Sequence, residues 1–501
     1  MSAAELAAQV RDVLSVDAEE FDARVAAEAE VLRAELDDGT FDNPQAIVGL
    51  EYEFYAVDEQ TDSLMRVPRR LLEYIGFEKE LGLHNAELST APQPLSGYGL
   101  RAQEAEVQAK VDAAQAEVGR EGIRLVSDGI WTVPPVGETA QEYLSDSVEH
   151  DGIRLAANMS ASPRYHAMAN TAYAAELTLD APHVSLDADT VMPESLATSI
   201  QPHYQVPRAE ALPERFRYAL RIAGPLLAVS VNSPFFPPDL YETDAETVLE
   251  EGWMENRVPV FESVLNPDDA RKVAFPEDLA TVDEALDRVA SDETVVPALY
   301  DGGNRFDDQF AHFLHKHGSH WRWVRPVFDG ATRESANARI EFRPLPGQPT
   351  LRDTISLLAV FAGLLGSLPR RDHPVSEQPW EVARANFYRA VRNGLQADFE
   401  WVRADGTATT SVDDLYDDLF ESARDGLELQ GLTAAEADRY VDPLEARVRR
   451  RTTPASWKRD RVSERIERGD PLEAAIWGMQ SAYVERQEGT FVDGTFLDWL
   501  D

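Results

Sequence analysis

Three short segments of this chain alternate apolar and polar residues with a period of two, and their polar positions carry charge or hydrogen-bonding groups. In the first segment Leu50, Tyr52 and Phe54 alternate with Glu51 and Glu53. Successive side chains of a β-strand point to opposite faces of the sheet, so this spacing predicts a strand with one apolar face and one carboxylate face.

The second and third segments repeat the pattern with other polar groups. Their polar faces are Gln201, His203 and Gln205 in one segment, and Arg339, Glu341 and Arg343 in the other. The simplest explanation for any one of these strands is a sheet whose polar face meets solvent. The alternative is a site for a metal and a polyphosphate, since carboxylates bind Mg²⁺ and guanidinium groups bind phosphoryl oxygens. The three segments together favour the second explanation.

The charge balance constrains the surface and the partners. The chain has 90 acidic and 47 basic residues, a net charge of −43, and only five of the basic residues are lysines. Acidity spread evenly with few lysines is typical of a halophilic surface, where molar salt screens the self-repulsion. A nucleic-acid mimic or an acidic tail would concentrate the charge in blocks. Binding to nucleic acid or to an anionic membrane is therefore not expected.

Several site chemistries and locations are excluded by composition. The chain contains no cysteine, so disulfides, thiolate nucleophiles and sulfur-ligated metals are absent. The N-terminus lacks the basic and apolar regions of a signal peptide. The most apolar run, residues 355–368, is too short to span a bilayer and is predicted to be a core helix. These features predict a soluble, cytoplasmic protein.

Hydrophobic periodicity gives a coarse order of elements along the chain. Strands are predicted at residues 46–57, 85–89, 123–127, 196–206 and 338–343. Helices are predicted at residues 1–36, 98–121 and 214–229, from about 350, and through most of the chain after 374. This order predicts an α+β protein with a helical C-terminal portion. We divide it into an N-terminal helical segment (1–40), a catalytic domain (41–370, with a poorly assigned insertion at about 240–310) and a helical C-terminal region (371–501).

At the same segments the sequence resembles the glutamate–cysteine ligase superfamily. The resemblance rests on six short motifs in consistent order: residues 49–53 with 87–94, 163–168, 197–205, 232–235, 323–326 and 339–344. The first pair is similar to the family's Gly-x-Glu-x-Glu strand and its later glutamate before Thr-x-Pro, and the last is similar to its closing Glu-x-Arg strand. Residues 1–40, about 240–310 and the C-terminal third carry none of these motifs.

The resemblance implies a glutamine-synthetase-like fold, in which a curved antiparallel sheet holds metals, ATP and the substrate carboxylate. It implies an ATP-dependent ligase that activates a carboxylate, expected to be the γ-carboxylate of glutamate, as an acyl phosphate and joins it to an amine such as cysteine. The resemblance also implies two or three Mg²⁺ ions that assist the transfer of the phosphoryl group from ATP. The implied metal ligands are Glu51, Glu53, Glu87, His203 and Glu341, with Glu80 a weaker candidate.

The same resemblance implies which residues bind phosphate and nucleotide. Arg343, Arg339 and Arg325 would hold phosphate or the substrate carboxylate, and His203, Gln201 and Arg325 would contact the nucleotide. The partners are then small molecules: ATP, an amino acid and an amine. The sequence leaves homo-oligomer formation open.

Other interpretations of the sequence remain open at this stage. Four histidines within residues 312–320 are compatible with a zinc site, although a helix end lining the substrate cavity is favoured. His183 competes with His203 as the metal-facing histidine. The chain can also be a catalytically inactive relative that binds a nucleotide or small acid, or an unrelated α+β protein with an exposed sheet face.

Overall fold

A computed structural model describes residues 1–171, 177–266 and 271–500 of the chain. Fifteen strands are found among these residues: β1 (Ile47–Asp58), β2 (Leu64–Met65), β3 (Glu78–Lys79), β4 (Asn85–Ser89), β5 (Gln93–Pro94), β6 (Ile123–Val126), β7 (Ser147–His150), β8 (Ile153–Ala156), β9 (Thr178–Ala181), β10 (Val184–Asp187), β11 (Ile200–Gln205), β12 (Val324–Asp329), β13 (Asn337–Phe342), β14 (Trp401–Val402) and β15 (Ala408–Thr409).

The α-helices in the same described ranges are α1 (Ala3–Leu14), α2 (Ala18–Asp37), α3 (Arg69–Tyr74), α4 (Gly97–Val118), α5 (Ala140–Ser145), α6 (Pro163–Met168), α7 (Leu212–Ser230), α8 (Ala245–Glu251), α9 (Arg257–Val264), α10 (Val282–Ala290), α11 (Ala311–His317), α12 (Leu351–Ser367), α13 (Trp380–Asn393), α14 (Val412–Leu429), α15 (Ala434–Arg450), α16 (Pro454–Glu467) and α17 (Leu472–Thr490). Short 3₁₀ segments join several of them.

The main sheet is antiparallel and built around β1. Nine strands take part within the described ranges, in the order β12–β13–β11–β1–β4–β3, with β2, β5 and β6 also paired to β1. The 12 residues of β1 are long enough to pair with β11 and β4 along one part and with β6 and β2 further on. Because one strand serves different neighbours along its length, the sheet curls into a half-barrel.

One face of this sheet is buried under helices. Val48, Leu50, Tyr52 and Phe54 of β1 are each at most 2% exposed. Helix α12 is almost entirely buried and packs against β11 and β1, and its Phe361 stacks on Phe342 of β13 with ring centroids 4.6 Å apart. With its apolar face covered in this way, the sheet presents its polar residues on the other face, as the alternation predicts.

The N-terminus forms two helices where the sequence pattern predicts a single helix over residues 1–36. Helix α1 ends at Leu14, and α2 begins after Asp17, whose carboxylate accepts hydrogen bonds from the backbone N–H groups of Glu19 and Glu20. An aspartate in this position satisfies the unpaired N–H groups at a helix start, so it favours a new helix over a continuous one. Helix α2 packs against α10 and α11.

The C-terminal helices pack onto the catalytic core through buried polar contacts. Lys458 of α16 forms an ion pair with Asp128 and donates to the carbonyl of Asn232 at 2.7 Å. Arg447 of α15 lies 2.8 Å from Asp353 of α12, and both side chains are fully buried. The division into three parts remains a prediction.

One stretch among the described residues, Leu351–Arg371, is long and apolar enough to cross a membrane by composition. It is 89% buried inside the protein. This burial is the behaviour of a core helix.

Candidate active site

The strand register brings the predicted carboxylates together on the polar face of the sheet. Glu53 of β1 lies directly opposite Glu87 of β4, and Glu51 lies opposite Gln201 of β11. Directly opposed residues on one face have Cβ atoms about 5 Å apart, and this spacing strains two unshielded carboxylates. The sheet therefore places Glu53 and Glu87 where a cation between them would be stabilising.

A second row of polar residues crosses the neighbouring strands. His203 of β11 lies opposite Glu341 of β13, and Glu341 lies opposite Arg325 of β12. Arg343 follows directly after β13. Residues separated by up to 292 positions in sequence, Glu51 and Arg343, thus meet on one surface. All the predicted metal and phosphate residues lie on or beside it.

A cavity of about 420 Å³ opens onto this polar face. From the sheet, Glu51, Glu53, Glu87 and Gln201 line it, together with Arg325 and Arg343. The remaining walls combine charged and aromatic residues from loops and helices: Glu80, Arg164, Tyr165, Glu194, Arg257, Phe261, Trp321 and Trp323. The cavity can therefore contact a charged group through its carboxylates and guanidinium groups and an apolar group through its aromatic residues.

Three carboxylates in this cavity form a tight group. One oxygen from each of Glu53, Glu80 and Glu87 lies within 4.8 Å of the others. Burial, reinforced by the charges of Glu51, Glu80 and Glu53, raises the pKa of Glu87 to about 11. Burial and the charge of Glu53 likewise raise the pKa of Glu80 to about 8. Without a cation, the group holds protons at neutral pH.

Glu53 is fixed by hydrogen bonds from the start of β11. The backbone N–H of Ser199 donates to its Oε2 at 2.8 Å, and the Ser199 hydroxyl donates to its Oε1 at 2.7 Å. The Gln201 amide also donates to Oε1, at 3.0 Å. Burial raises the pKa of Glu53, although the Ser199 hydroxyl and the charge of Arg257 oppose that rise. These contacts hold the carboxylate in place before any ligand arrives.

Glu341 has a different electrostatic setting. Its Oε1 accepts from Arg325 Nε at 2.9 Å and from Arg343 Nη1 at 2.5 Å, and the side chain is only 3% exposed. Burial alone would raise its pKa, but Arg325 and Arg343 hold the pKa of Glu341 well below its ordinary value. Arg343 also donates to Gln201 at 2.7 Å, so Gln201 bridges Arg343 and Glu53.

Glu51 borders a second, smaller cavity of about 240 Å³, which His203 and Arg339 also line. Arg339 Nε donates to His203 Nδ1 at 3.0 Å, and His203 Nε2 faces Glu51 at 3.3 Å. Since Nδ1 accepts a hydrogen bond, the ring proton of a neutral His203 is on Nε2. In this arrangement His203 donates from Nε2 toward Glu51. To ligate a metal through Nε2, the ring would have to carry its proton on Nδ1 instead, and the hydrogen bond from Arg339 to Nδ1 would have to break.

The two cavities divide the predicted residues between them. Arg325, Arg343 and Gln201 lie at the larger cavity with the three-carboxylate group, whereas His203 and Arg339 lie at the smaller one. Glu51 lines both. The carboxylates also differ in their partners. Glu341 pairs with Arg325 and Arg343, and Glu51 faces the His203 ring, while the three-carboxylate group has no partner at ion-pair distance among the described residues.

Among the acidic residues that line the cavity, Glu80 and Glu194 are the two that the alternating sequence pattern does not identify as site residues. Glu80 follows the two-residue strand β3, too short for an alternation to be read, and its only signal is the seven-residue spacing from Glu87. Glu194 lies in a 3₁₀ segment, Met192–Leu196, and no pattern marks it. Arg257 comes from the region around 240–310 where the sequence yields no motif.

The four clustered histidines each have separate partners. His312 pairs with Glu28, His315 with Val296 and Tyr300, His317 with the carbonyl of Pro326, and His320 with Asp292. Among the residues that the structure describes, the metal-competent group found is the three glutamates and includes no histidine. The zinc alternative thus gains no support. Gly318 and Trp321 beside these histidines line the larger cavity, as the favoured interpretation predicts.

Comparisons with known proteins assign the chain to a family. The family model described as glutamate-cysteine ligase family 2 matches residues 47–477. No significant match was found among curated protein sequences.

Several solved structures are similar to the chain, among them the following two. A bifunctional glutathione synthetase from Pasteurella multocida has 13% sequence identity and a TM-score of 0.50, over 92% of this chain and 55% of its own. The glutamate–cysteine ligase of Francisella tularensis, solved in complex with AMP, has 11% identity and a TM-score of 0.48, over 90% of this chain and 91% of its own. At 13% identity the likeness to the Pasteurella multocida structure is one of fold. The predicted fold class, a glutamine-synthetase-like curved antiparallel sheet packed with helices and followed by a helical C-terminal region, is confirmed.

Proposed function

This chain belongs to the glutamate–cysteine ligase family 2, whose match covers most of its length, and on that premise we propose that it activates the γ-carboxylate of glutamate with ATP and joins it to an amine, with cysteine the first candidate. Family membership supports the coarser assignment, an ATP-dependent carboxylate–amine ligase. The identity of both substrates is our proposal.

One observation carries the proposal. The carboxylates of Glu53, Glu80 and Glu87 converge within 4.8 Å in a cavity that Arg325 and Arg343 also line. A surface exposed only to solvent has no reason to bring three carboxylates so close, since each pair of ionised groups at 4.8 Å repels by about 3 kcal/mol at an effective dielectric constant near 20. The arrangement suits a cation and a polyphosphate bound side by side.

The donor set fits Mg²⁺. Hard carboxylate oxygens are its preferred ligands, and the group of Glu53, Glu80 and Glu87 contains neither sulfur nor histidine. We propose that Glu53, Glu80 and Glu87 hold one ion and that Glu51 and Glu341, with His203 nearby, hold the others. When bound, Mg²⁺ would neutralise charge on the phosphoryl oxygens and orient the phosphates.

The proposed chemistry has two steps. A γ-carboxylate oxygen attacks the γ-phosphorus of ATP, the bond to the bridging oxygen breaks, and ADP leaves an acyl phosphate behind. The neutral amine then attacks the acyl carbon, the bond from that carbon to the phosphate oxygen breaks, and the amine gives up one proton, which leaves with the phosphate as the amide forms. No covalent bond to the protein is needed, in keeping with a chain that has no cysteine.

Arginines would supply the transition-state contacts of both steps. Arg343 donates through one nitrogen to Glu341 and Gln201, so its guanidinium is held in place before substrate arrives. A preorganised guanidinium next to the transferring phosphoryl group stabilises the developing charge without reorganisation. Arg325, anchored by Glu341, would act alongside it, and Arg339 at the smaller cavity would hold phosphate or the substrate carboxylate.

The test is ADP release by the purified chain in molar KCl with Mg²⁺–ATP, glutamate and a panel of amines. We expect release that requires all three components and forms an amide product by mass spectrometry. Glu53→Gln should abolish it, and Glu149→Gln, the same change at an exposed position of β7, should leave it intact. Nucleotide binding without ADP release for any amine would favour an inactive regulatory relative, and full activity of Glu53→Gln would disprove the proposed site.

A further inference from the structure

One carboxylate in the larger cavity belongs neither to the three-carboxylate group nor to the arginine-paired set. Glu194 lies in the 3₁₀ segment Met192–Leu196, just before β11, and its side chain lines the cavity. Across residues 1–171, 177–266 and 271–500 its carboxylate receives no hydrogen bond and forms no ion pair, whereas the other acidic groups that face the cavity each have a partner or share the three-carboxylate group.

The backbone around Glu194 is firmly positioned. The carbonyl of the next residue, Ser195, accepts from Trp131 Nε1 at 3.2 Å and contacts His84 Nε2 at 2.9 Å, and both rings are buried. The Ser195 hydroxyl donates to the Met192 carbonyl at 2.7 Å. The backbone contacts fix where the Glu194 side chain enters the cavity, and this side chain has no protein partner. Such a group is suited to binding a ligand.

The nearby charges do not compensate Glu194. Arg343 is the cation that acts on it most strongly, but the same guanidinium is already bonded to Glu341 and Gln201. Glu53 adds a like charge. A partly buried carboxylate without a counter-charge is costly, so the occupied site gains stability if the ligand brings a positive group.

The reaction supplies two candidate cations of the ammonium type. The acceptor amine must lose its extra proton before it can attack, and a carboxylate that binds its ammonium form would hold it back from reaction. The α-ammonium of the activated amino acid takes no part in either step and remains charged throughout. It is the group that the unpaired carboxylate of Glu194 can bind without cost to the chemistry.

We propose that Glu194 is the residue that binds the α-ammonium of the amino acid whose side-chain carboxylate is activated, and that it makes the enzyme selective for α-amino dicarboxylic acids over simple diacids. This inference rests on the proposed ligase function. Glutarate, which is glutamate without the amino group, would leave the partly buried carboxylate of Glu194 unpaired. A site built to bind a polar group strongly rejects an analogue that lacks this group.

The experiment compares glutamate with glutarate in wild type and Glu194→Gln, each with Mg²⁺–ATP and cysteine in molar KCl. In the wild type we expect kcat/KM to be at least about 100-fold higher for glutamate. In Glu194→Gln we expect kcat/KM for glutamate to fall about 100-fold, mostly through KM, and that for glutarate to change by less than about 3-fold. If glutarate turns over too slowly, its inhibition constant against glutamate replaces kcat/KM, and it should be unchanged or lower in the variant.

Two controls separate the outcomes. Glu194→Gln must keep the wild-type thermal shift with Mg²⁺–ATP, which excludes a folding defect, and Glu149→Gln must match wild type throughout. Equal losses for glutamate and glutarate, or a wild type that prefers glutarate, would overturn the role of Glu194. A wild type that releases no ADP with any carboxylate would instead refute the ligase proposal itself.

Discussion

Replacement of Glu87 by glutamine should stabilise the metal-free protein, although it removes a proposed metal ligand. Glu87 lies within 4.8 Å of Glu53 and Glu80, and its pKa is raised by burial and by neighbouring carboxylates to about 11 from an ordinary value of 4.5. At pH 7 the folded state therefore keeps a proton on Glu87 that the unfolded chain releases. Glutamine has the same shape and needs no proton.

The size of the effect follows from this linkage. A carboxyl group whose folded pKa is raised stabilises the protein fully only below its unfolded pKa, and stability then falls as pH rises from about 4.5 toward about 11. The loss is about 1.4 kcal/mol per pH unit, so at pH 7 the proton on Glu87 costs about 3 kcal/mol, and at pH 8 nearly 5 kcal/mol. Glu87→Gln should recover most of this, since its lost contact, from Ser89 at 3.5 Å, is weak.

The assay is thermal unfolding without metal and with Mg²⁺, at pH 6, 7 and 8. A gain of about 3 kcal/mol corresponds to a rise in Tm of roughly 3–6 °C for a chain of this size at pH 7, and the gain should grow with pH. Added Mg²⁺ should raise the Tm of wild type more than that of Glu87→Gln. Glu149→Gln should behave as wild type. A metal-free Glu87→Gln that is less stable than wild type, or as responsive to Mg²⁺, would refute the reasoning.

Three further predictions concern protons, salt and the C-terminal helices. The raised pKa values of Glu80, about 8, and Glu87, about 11, keep both side chains protonated at pH 7, so Mg²⁺ binding should release protons and become tighter as pH rises from 6 to 9. Calorimetry in buffers of different ionisation enthalpy measures the number of protons released. An Mg²⁺ affinity that does not change with pH would contradict this prediction. The net charge of −43 predicts that Tm rises between about 0.2 and 2 M KCl, where the Debye length falls from about 7 to 2 Å, and a flat response would contradict the halophilic interpretation. Lys458→Met should destabilise the fold by about 3–5 kcal/mol in denaturant unfolding because it leaves Asp128 buried and unpaired, and Asp128→Asn in the same chain should restore part of the loss.

Alternation predicted the strands that carry Glu51 and Glu53, His203 and Glu341, but it did not predict β12, which carries Arg325. The pattern around Glu51 and Glu53 predicts residues 46–57, and the structure has Ile47–Asp58; residues 338–343 correspond to Asn337–Phe342. A period of two is a local property, so it survives in the sequence. The neighbour of each strand is not local, and only the resemblance to a known family indicated that Glu87 would lie beside Glu53.

The residues that patterning missed lie outside regular elements. Glu80 follows a two-residue strand and Glu194 occupies a 3₁₀ segment, so neither has a periodicity by which its direction can be inferred. The break between α1 and α2 was different, because its signal was present. Asp17 followed by Glu20 is a helix-start pattern, and the continuous amphipathic pattern on both sides obscured it.

The carboxylates of the site fall into two electrostatic classes, and this division argues for what the site binds. Glu51 and Glu341 have pKa values lowered by His203 and by Arg325 and Arg343, against the opposing effect of burial, so they are ionised without help. The group formed by Glu53, Glu80 and Glu87 has raised pKa values and needs an external cation to ionise. An anion alone would leave the three-carboxylate group protonated and without a ligand. A cation alone would leave Arg343, whose bonds to Glu341 and Gln201 use only Nη1, without an anion at its other nitrogens. A metal-bound polyphosphate satisfies both classes at once, because its cation displaces the protons of the three-carboxylate group while its phosphoryl oxygens accept hydrogen bonds from Arg343.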